Sequence, residues 1–176
     1  MKKSGQVWIE TVLYTLIGLA LIGLALGFIM PKINEARDKA TVEQAINSLS
    51  EFDAKVNEVI ETGTGNVRQI EFYMKKGELY INTSGNEIEM ILTGLSKPYS
   101  EPGVPIDKGR IKVMSEVNQK ANTVYLRASY TRYNITYNEK DEEIPTKFVS
   151  ASTPYEFFIK NEGNSVVDIT EGSLNF

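Results

Sequence analysis

One carboxylate stands at the border of a long apolar stretch, and its position is the strongest hint of chemistry in the chain. Glu10 follows Lys2 and Lys3, and after it no charged side chain occurs until Lys32. A carboxylate beside an apolar run costs free energy to place in a membrane, so it needs a partner or contact with water. In a single molecule, we expect Glu10 to lie in the headgroup layer at the membrane surface.

The apolar stretch that follows is long enough to cross a bilayer. Residues 11–30 carry no charge, and twenty helical residues span roughly 30 Å, the thickness of the hydrocarbon core. A secretory signal peptide would end after roughly 7 to 15 apolar residues at a small-x-small cleavage site. Here the run continues through Gly23, Leu24 and Ala25 to Met30, so we expect no cleavage behind it.

The N-terminus resembles the class III signal peptides of type IV pilins and pilin-like proteins, in particular the archaeal form. The resemblance covers residues 2–30 and rests on Lys2, Lys3, Gly5, Gln6, Glu10 and the uninterrupted apolar helix. Ser4, between the lysines and Gly5, departs from the pattern. The resemblance implies a leader peptide of residues 1–5, cut between Gly5 and Gln6 by a prepilin peptidase on the cytoplasmic face.

The resemblance also implies a partner for Glu10. In pilin-like proteins the corresponding glutamate is thought to meet the new α-amino group of a neighbouring subunit, which here belongs to Gln6. Buried ion pairs often add little net stability, but they can fix register. Gly23 and Gly27 form a small-xxx-small pair that permits close helix packing, although glycine is also simply common in transmembrane helices.

Composition excludes several classes of function. The 176 residues include 19 basic and 23 acidic side chains, a formal charge of −4 that becomes −6 without Lys2 and Lys3. This acidic, unpatterned surface argues against nucleic-acid binding. The absence of cysteine excludes disulfides and thiolate sites, and the absence of histidine removes the commonest general base and metal ligand. We therefore expect no enzyme and no cofactor.

Helical periodicity continues beyond Pro31. Apolar residues recur at spacings of three and four from Ile33 to Ile60, and charged residues mostly take the other faces. We predict one long helix over residues 6–62, with a kink near Pro31 because proline removes a backbone donor and crowds the preceding turn. The sequence from Thr62 to Gly65 contains two glycines that can close the last turn.

From Val67 onward the apolar residues alternate with a period of two, which predicts strands. Residues 70–81 predict a hairpin around Lys75-Lys76-Gly77, and Ile88, Met90 and Leu92 predict a third strand. Residues 94–109 predict an ordered loop. Further strands are predicted near residues 110–115, 123–132, 133–137, 146–150, 155–160 and 166–170. The fold class is α+β: a long N-terminal helix and an antiparallel β head over residues 63–176, a sandwich or small barrel.

The head carries three further candidate features. Asn82-Thr83-Ser84 and Asn134-Ile135-Thr136 are N-glycosylation sequons, used only if the head is extracellular. Four tyrosines could stack on a glycan or ligand, although strands use tyrosine routinely; they are Tyr125, Tyr130, Tyr133 and Tyr137. Four acidic side chains over residues 139–143 could bind Ca²⁺, but their spacing matches no ordered loop and favours a solvated turn.

These observations predict a structural subunit of an extracellular type IV pilus-like filament. The resemblance implies a membrane precursor with a cytosolic leader and an external head, which an assembly ATPase and a membrane platform polymerise with copies of itself. Surface adhesion is the default expectation for this class. Two alternatives remain: a minor pilin or pseudopilin of a secretion or filament machine, and a single-pass anchored binding module that never polymerises.

Overall fold

The computed structural model describes residues 3–118 and 121–172, with side chains from Val7 onward, and it has the predicted α+β architecture. One helix, α1 (Lys3–Thr62), precedes ten strands. The strands are β1 (Val67–Phe72), β2 (Glu78–Asn82), β3 (Glu87–Leu95), β4 (Ile106–Lys108), β5 (Ile111–Asn118), β6 (Ala121–Ser129), β7 (Asn134–Tyr137), β8 (Thr146–Val149), β9 (Tyr155–Gly163) and β10 (Val166–Glu171). The chain divides into two compact units, Met1–Arg37 and Asp38–Phe176.

The first unit is the apolar part of α1. It contains a helical segment long and apolar enough to cross a membrane, and none of that segment is buried. The hydroxyls of Thr11 and Thr15 donate to the carbonyls of Val7 and Thr11, at 2.9 and 2.8 Å. Both polar groups are therefore satisfied within the helix, which lowers their cost in an apolar environment. The helix is continuous through Pro31, and the kink expected there stays a prediction.

In the second unit, the remainder of α1 contributes one buried stripe to the core. Its members recur three or four residues apart, as a helix packed on one side requires: Val42, Ala45, Ile46, Leu49, Phe52, Val56 and Val59. Helix α1 ends where the sequence predicts, because Gly63 adopts a left-handed φ of +97° directly after Thr62. Asn66 Nδ2 then donates to the free carbonyl of Thr62 at 3.0 Å.

Two sheets complete the core. One has the strand order β1-β9-β10-β7 and the other β4-β5-β6-β3-β2-β8. Every pairing is antiparallel except that of β10 with β7, which is parallel. Aromatic edge contacts join the elements: Phe157 of β9 lies 5.5 Å from Phe52 of α1 and 5.1 Å from Phe148 of β8, between ring centroids. The core is thus shared by the helix and both sheets.

The predicted hairpin over residues 70–81 is wrong. Strand β1 pairs with β9, with Ile70 opposite Phe157, whereas β2 pairs with β3 and β8 in the other sheet. The segment around Gly77 therefore carries the chain from one sheet to the other. Gly77 has φ +104°, and a Cβ there would lie 2.7 Å from the Ile91 carbonyl oxygen. Glycine is therefore required where the chain crosses between the sheets. Alternation of apolar residues along the sequence cannot distinguish such a crossing from a tight turn.

Polar contacts also attach the second half of α1 to the strands and loops. Asp38 accepts hydrogen bonds from the Ser96 backbone and hydroxyl at 2.7 and 2.6 Å, and Tyr99 donates to Glu43 at 2.5 Å. Burial and the Glu43 carboxylate raise the pKa of Tyr99 to about 12. The compact unit begins at Asp38, and the helix within it ends at Thr62.

Candidate functional site

The apolar part of α1 is the largest candidate interaction surface in the described residues. Large apolar side chains are exposed around the whole helix, among them Trp8 at 71% and Phe28 at 80% exposure. A soluble monomer rarely exposes contiguous apolar patches of more than a few hundred Å². This surface therefore requires an apolar environment, supplied either by lipid or by other protein.

Glu10 is exposed on this helix, and among the described residues it has no hydrogen bond or ion pair. Gly5 and Gln6 lie in the first turns of α1, but the side chain of Gln6 falls outside the described part of the chain. The cut between them and the pairing of Glu10 with the Gln6 amine stay predictions.

The molecule itself gives no reason for the glycines of the apolar segment. A Cβ at Gly23 or Gly27 would meet no atom within 4 Å. Glycine costs about 1 kcal/mol relative to alanine inside a helix, so each lowers helix stability without an internal benefit. Close approach of another helix would supply that benefit, in agreement with the small-xxx-small interpretation.

The two sequons differ in the accessibility of their hydroxyl residues, whereas both asparagines are half-buried. In the first, exposed Ser84 donates its hydroxyl to Asn82 Oδ1 at 2.9 Å, at the end of β2. In the second, Thr136 is buried, and its hydroxyl donates to the buried Asp168 carboxylate at 2.6 Å. The folded head therefore presents the first hydroxyl–asparagine pair at its surface and holds the second inside a hydrogen-bond network.

We predict that Asn82, and not Asn134, carries a glycan if the head is exposed to a glycosylating compartment. The intact mass of the chain purified from its native source should fall by one glycan in Asn82→Gln and remain unchanged in Asn134→Gln, relative to the parent. A glycan on Asn134 with Asn82 unmodified would contradict the argument from accessibility.

The tyrosine series does not form one surface. Tyr125 lies on β6, Tyr137 on β7 packs against Phe148, and only Tyr130 and Tyr133 line a common cleft. Nor do the described acidic residues form a candidate metal site. Asp168 instead stabilises the charged turn, because its carboxylate accepts a hydrogen bond from the Glu139 backbone at 2.7 Å.

The cleft shared by Tyr130 and Tyr133 was not predicted from the sequence. It has a volume of about 410 Å³ and lies between the last turns of α1 and the connection from β6 to β7. Arg110 lines it and forms an ion pair with the buried Asp53, at 2.9 Å between Nε and Oδ2. The available signal was Asp53 itself, a carboxylate directly after Phe52 on the apolar stripe of the helix.

Comparisons of the chain with protein-family models, with curated proteins and with solved structures found no match. The functional interpretation therefore depends on the chain's own residues. These offer two surfaces of different chemistry: an exposed apolar helix that carries one carboxylate, and a polar cleft in the compact β unit.

Proposed function

We propose that this chain is a structural subunit of an extracellular type IV pilus-like filament and polymerises through the apolar part of α1. The observation that carries the proposal is the contrast between the two units. The unit from Asp38 onward buries its own apolar stripe and sheets, whereas the apolar side chains before it are exposed on every face of the helix. Such a helix needs many neighbours, and copies of the same helix can provide them.

Assembly in this proposal is an exchange of apolar surroundings. In the precursor, the helix contacts lipid acyl chains, and in the filament it contacts the helices of other copies. The hydrophobic burial of the segment is kept, while packing of small residues such as Gly23 and Gly27 favours the protein contacts. The β heads then form the outer layer of the filament and supply its adhesive surface.

In this proposal, cleavage of the N-terminal residues must precede assembly. The resemblance to class III signal peptides supports removal of residues 1–5 by a prepilin peptidase, which leaves a new positive amine on Gln6. That amine and Glu10 of a neighbouring subunit can then neutralise each other inside the apolar bundle. An assembly ATPase and a membrane platform would drive the transfer, because the precursor must leave the bilayer.

Glu10→Ala should be processed and inserted into membranes at least as well as the parent, since the change removes a charge from the apolar border. Filament yield in the sheared surface fraction should fall by about tenfold or more, because loss of one partner leaves the buried amine unpaired. The yield is measured by quantitative immunoblot of that fraction against the total chain.

Glu51→Ala is the matched control, because Glu51 is an exposed carboxylate on the part of the same helix that belongs to the compact unit. This variant should assemble like the parent. Normal filament yield from Glu10→Ala would remove the pairing from the proposal.

A single-pass anchored binding module is the second candidate, and the polar cleft beside Arg110 and Arg132 favours it. In that case the apolar helix would remain in lipid and the chain would keep its leader. Mass spectrometry of the N-terminus separates the two, because the filament subunit begins at Gln6 and the anchored module at Met1.

A further inference from the structure

The polar cleft in the compact unit has the size and composition of a small-ligand site. Its volume of about 410 Å³ lies in the range of roughly 300 to 1,000 Å³ typical of such sites. Its lining combines two arginines with amide, hydroxyl and aromatic side chains. The lining residues include Asn57, Arg110, Thr131, Arg132 and Tyr133. The chemistry of these groups determines which ligand the cleft would recognise.

Arg110 is held in place by a buried carboxylate. Its side chain is 62% exposed, whereas that of Asp53 is only 7% exposed, and the contact is made through Nε. Among the described residues, the two terminal amino groups of the Arg110 guanidinium donate no hydrogen bond. These amino groups form the fork that binds a carboxylate with two parallel hydrogen bonds.

Arg132 supplies a second cation. It is exposed, and it has no hydrogen bond or ion pair within residues 3–118 and 121–172. The connection that carries it is anchored at both ends by Asn86, whose backbone carbonyl accepts from Tyr130 N at 2.8 Å and whose Oδ1 accepts from Ile135 N at 2.7 Å. The cleft therefore holds Arg132 on a fixed segment, which lowers the entropy cost of binding.

Beneath these groups, the Tyr130 hydroxyl is buried beside the Asp53 carboxylate. Tyr130 is 3% exposed. Burial raises the pKa of Tyr130, and the nearby Asp53 carboxylate adds to this effect. Tyr130 lines the cleft, and Asp53, which lies beside its hydroxyl, also pairs with Arg110.

The remaining lining suits a ligand rich in hydroxyl groups. Asn57 uses Nδ2 to donate to the Asp53 carbonyl at 2.6 Å, which leaves Oδ1 able to accept. Glu61 adds further acceptors, Thr131 adds a hydroxyl, and Ile60 and Tyr133 add apolar surface. The cleft thus offers acceptors for hydroxyls, apolar surface for a ring and cations for a carboxylate. Acidic saccharides are the class of ligand that carries all three of these groups.

We propose that this cleft binds a carboxylate-bearing saccharide, with Arg132 and the terminal amino groups of Arg110 on the carboxylate. The proposal deepens the adhesive part of the function proposed above by naming its ligand class. It does not depend on polymerisation, because every lining residue belongs to the compact unit that begins at Asp38. Filament assembly and saccharide binding can therefore fail separately.

The test is isothermal titration of the full chain in detergent micelles with trigalacturonate. We expect saturable binding, and a neutral trisaccharide of galactose should bind about tenfold or more weakly, because it lacks the charge-assisted hydrogen bonds to the arginines. Arg132→Gln should weaken trigalacturonate binding by a similar factor. Arg132 is exposed and unpaired, so this variant retains the fold.

Arg68→Gln is the matched control, because Arg68 is an arginine outside the cleft that pairs with Glu58. It should bind trigalacturonate like the parent. Absence of binding at about 10 mM probe, equal binding of the neutral trisaccharide, or unchanged binding in Arg132→Gln would overturn the proposal. Inorganic sulfate that competes as well as trigalacturonate would also overturn it, since the cleft would then be a simple anion site.

Discussion

Replacement of Gly5 by valine should leave the full-length chain in the membrane fraction and remove it from surface filaments. Glycine has no Cβ and lets the backbone approach the peptidase closely, whereas the branched valine side chain blocks that approach. Without the cut, the chain keeps Lys2 and Lys3, and the Gln6 amine that would meet Glu10 is never formed. Intact-mass measurement of the membrane and sheared fractions distinguishes the two forms.

Ser4→Ala provides the matched control, because it lies one residue further from the cut and replaces the leader position that departs from the class III pattern. We expect this variant to be processed and assembled. A normal amount of chain beginning at Gln6 from Gly5→Val would contradict the leader assignment.

Phe52→Ala should destabilise the compact unit by about 3 to 5 kcal/mol. Phe52 is fully buried, and its ring makes edge contacts with Phe72 and Phe157 at centroid distances of 5.9 and 5.5 Å. Its removal opens a cavity where the helix meets the sheet that contains β1 and β9. Denaturant unfolding of the full chain in detergent, followed by near-ultraviolet circular dichroism, measures the change in unfolding free energy.

The neighbouring exposed position provides the comparison. Glu51→Ala should change the unfolding free energy by no more than about 0.5 kcal/mol. A loss below about 1 kcal/mol in Phe52→Ala would mean that the second half of α1 is not part of the core.

Local patterns were sufficient to predict most elements of the fold. The spacing of three to four between apolar residues predicted α1 as far as its last residue, Thr62. The buried stripe from Val42 to Val59 makes one face of the helix apolar, and this face is visible in the sequence. Gly63 ended the helix as expected, since its φ of +97° is one that other residues rarely adopt. Most strands were also located closely, because buried residues alternate along strands such as β2, β3 and β5. Strand β4, which has no buried residue, lies within the predicted loop over residues 94–109 and was missed.

Strand pairing was less accessible to sequence analysis, because it depends on contacts between distant residues. The pairing of β1 with β9 joins residues about ninety positions apart, and no local signal records it. The parallel pair of β10 and β7 was missed for the same reason. The compact unit begins at Asp38, whose carboxylate accepts hydrogen bonds from Ser96, 58 positions further along the chain.

The candidate sites also divide into those that a local pattern predicts and one that depends on contacts between distant residues. Glu10, Gly23, Gly27 and Pro31 lie on the helix as predicted, and a Cβ at either glycine would meet no atom within 4 Å. The cleft was missed because Asp53, Arg110 and Arg132 come from three separate elements. A buried carboxylate on an apolar stripe is the one sequence feature that could have indicated it.

The most direct test of the filament proposal is electron cryomicroscopy of material sheared from cells that produce the chain. We expect filaments in which helices from Val7 to Met30 pack around a common axis, with Glu10 beside the N-terminus of a neighbouring copy. A chain that is absent from all filaments and found only as single molecules in the membrane would contradict the filament proposal.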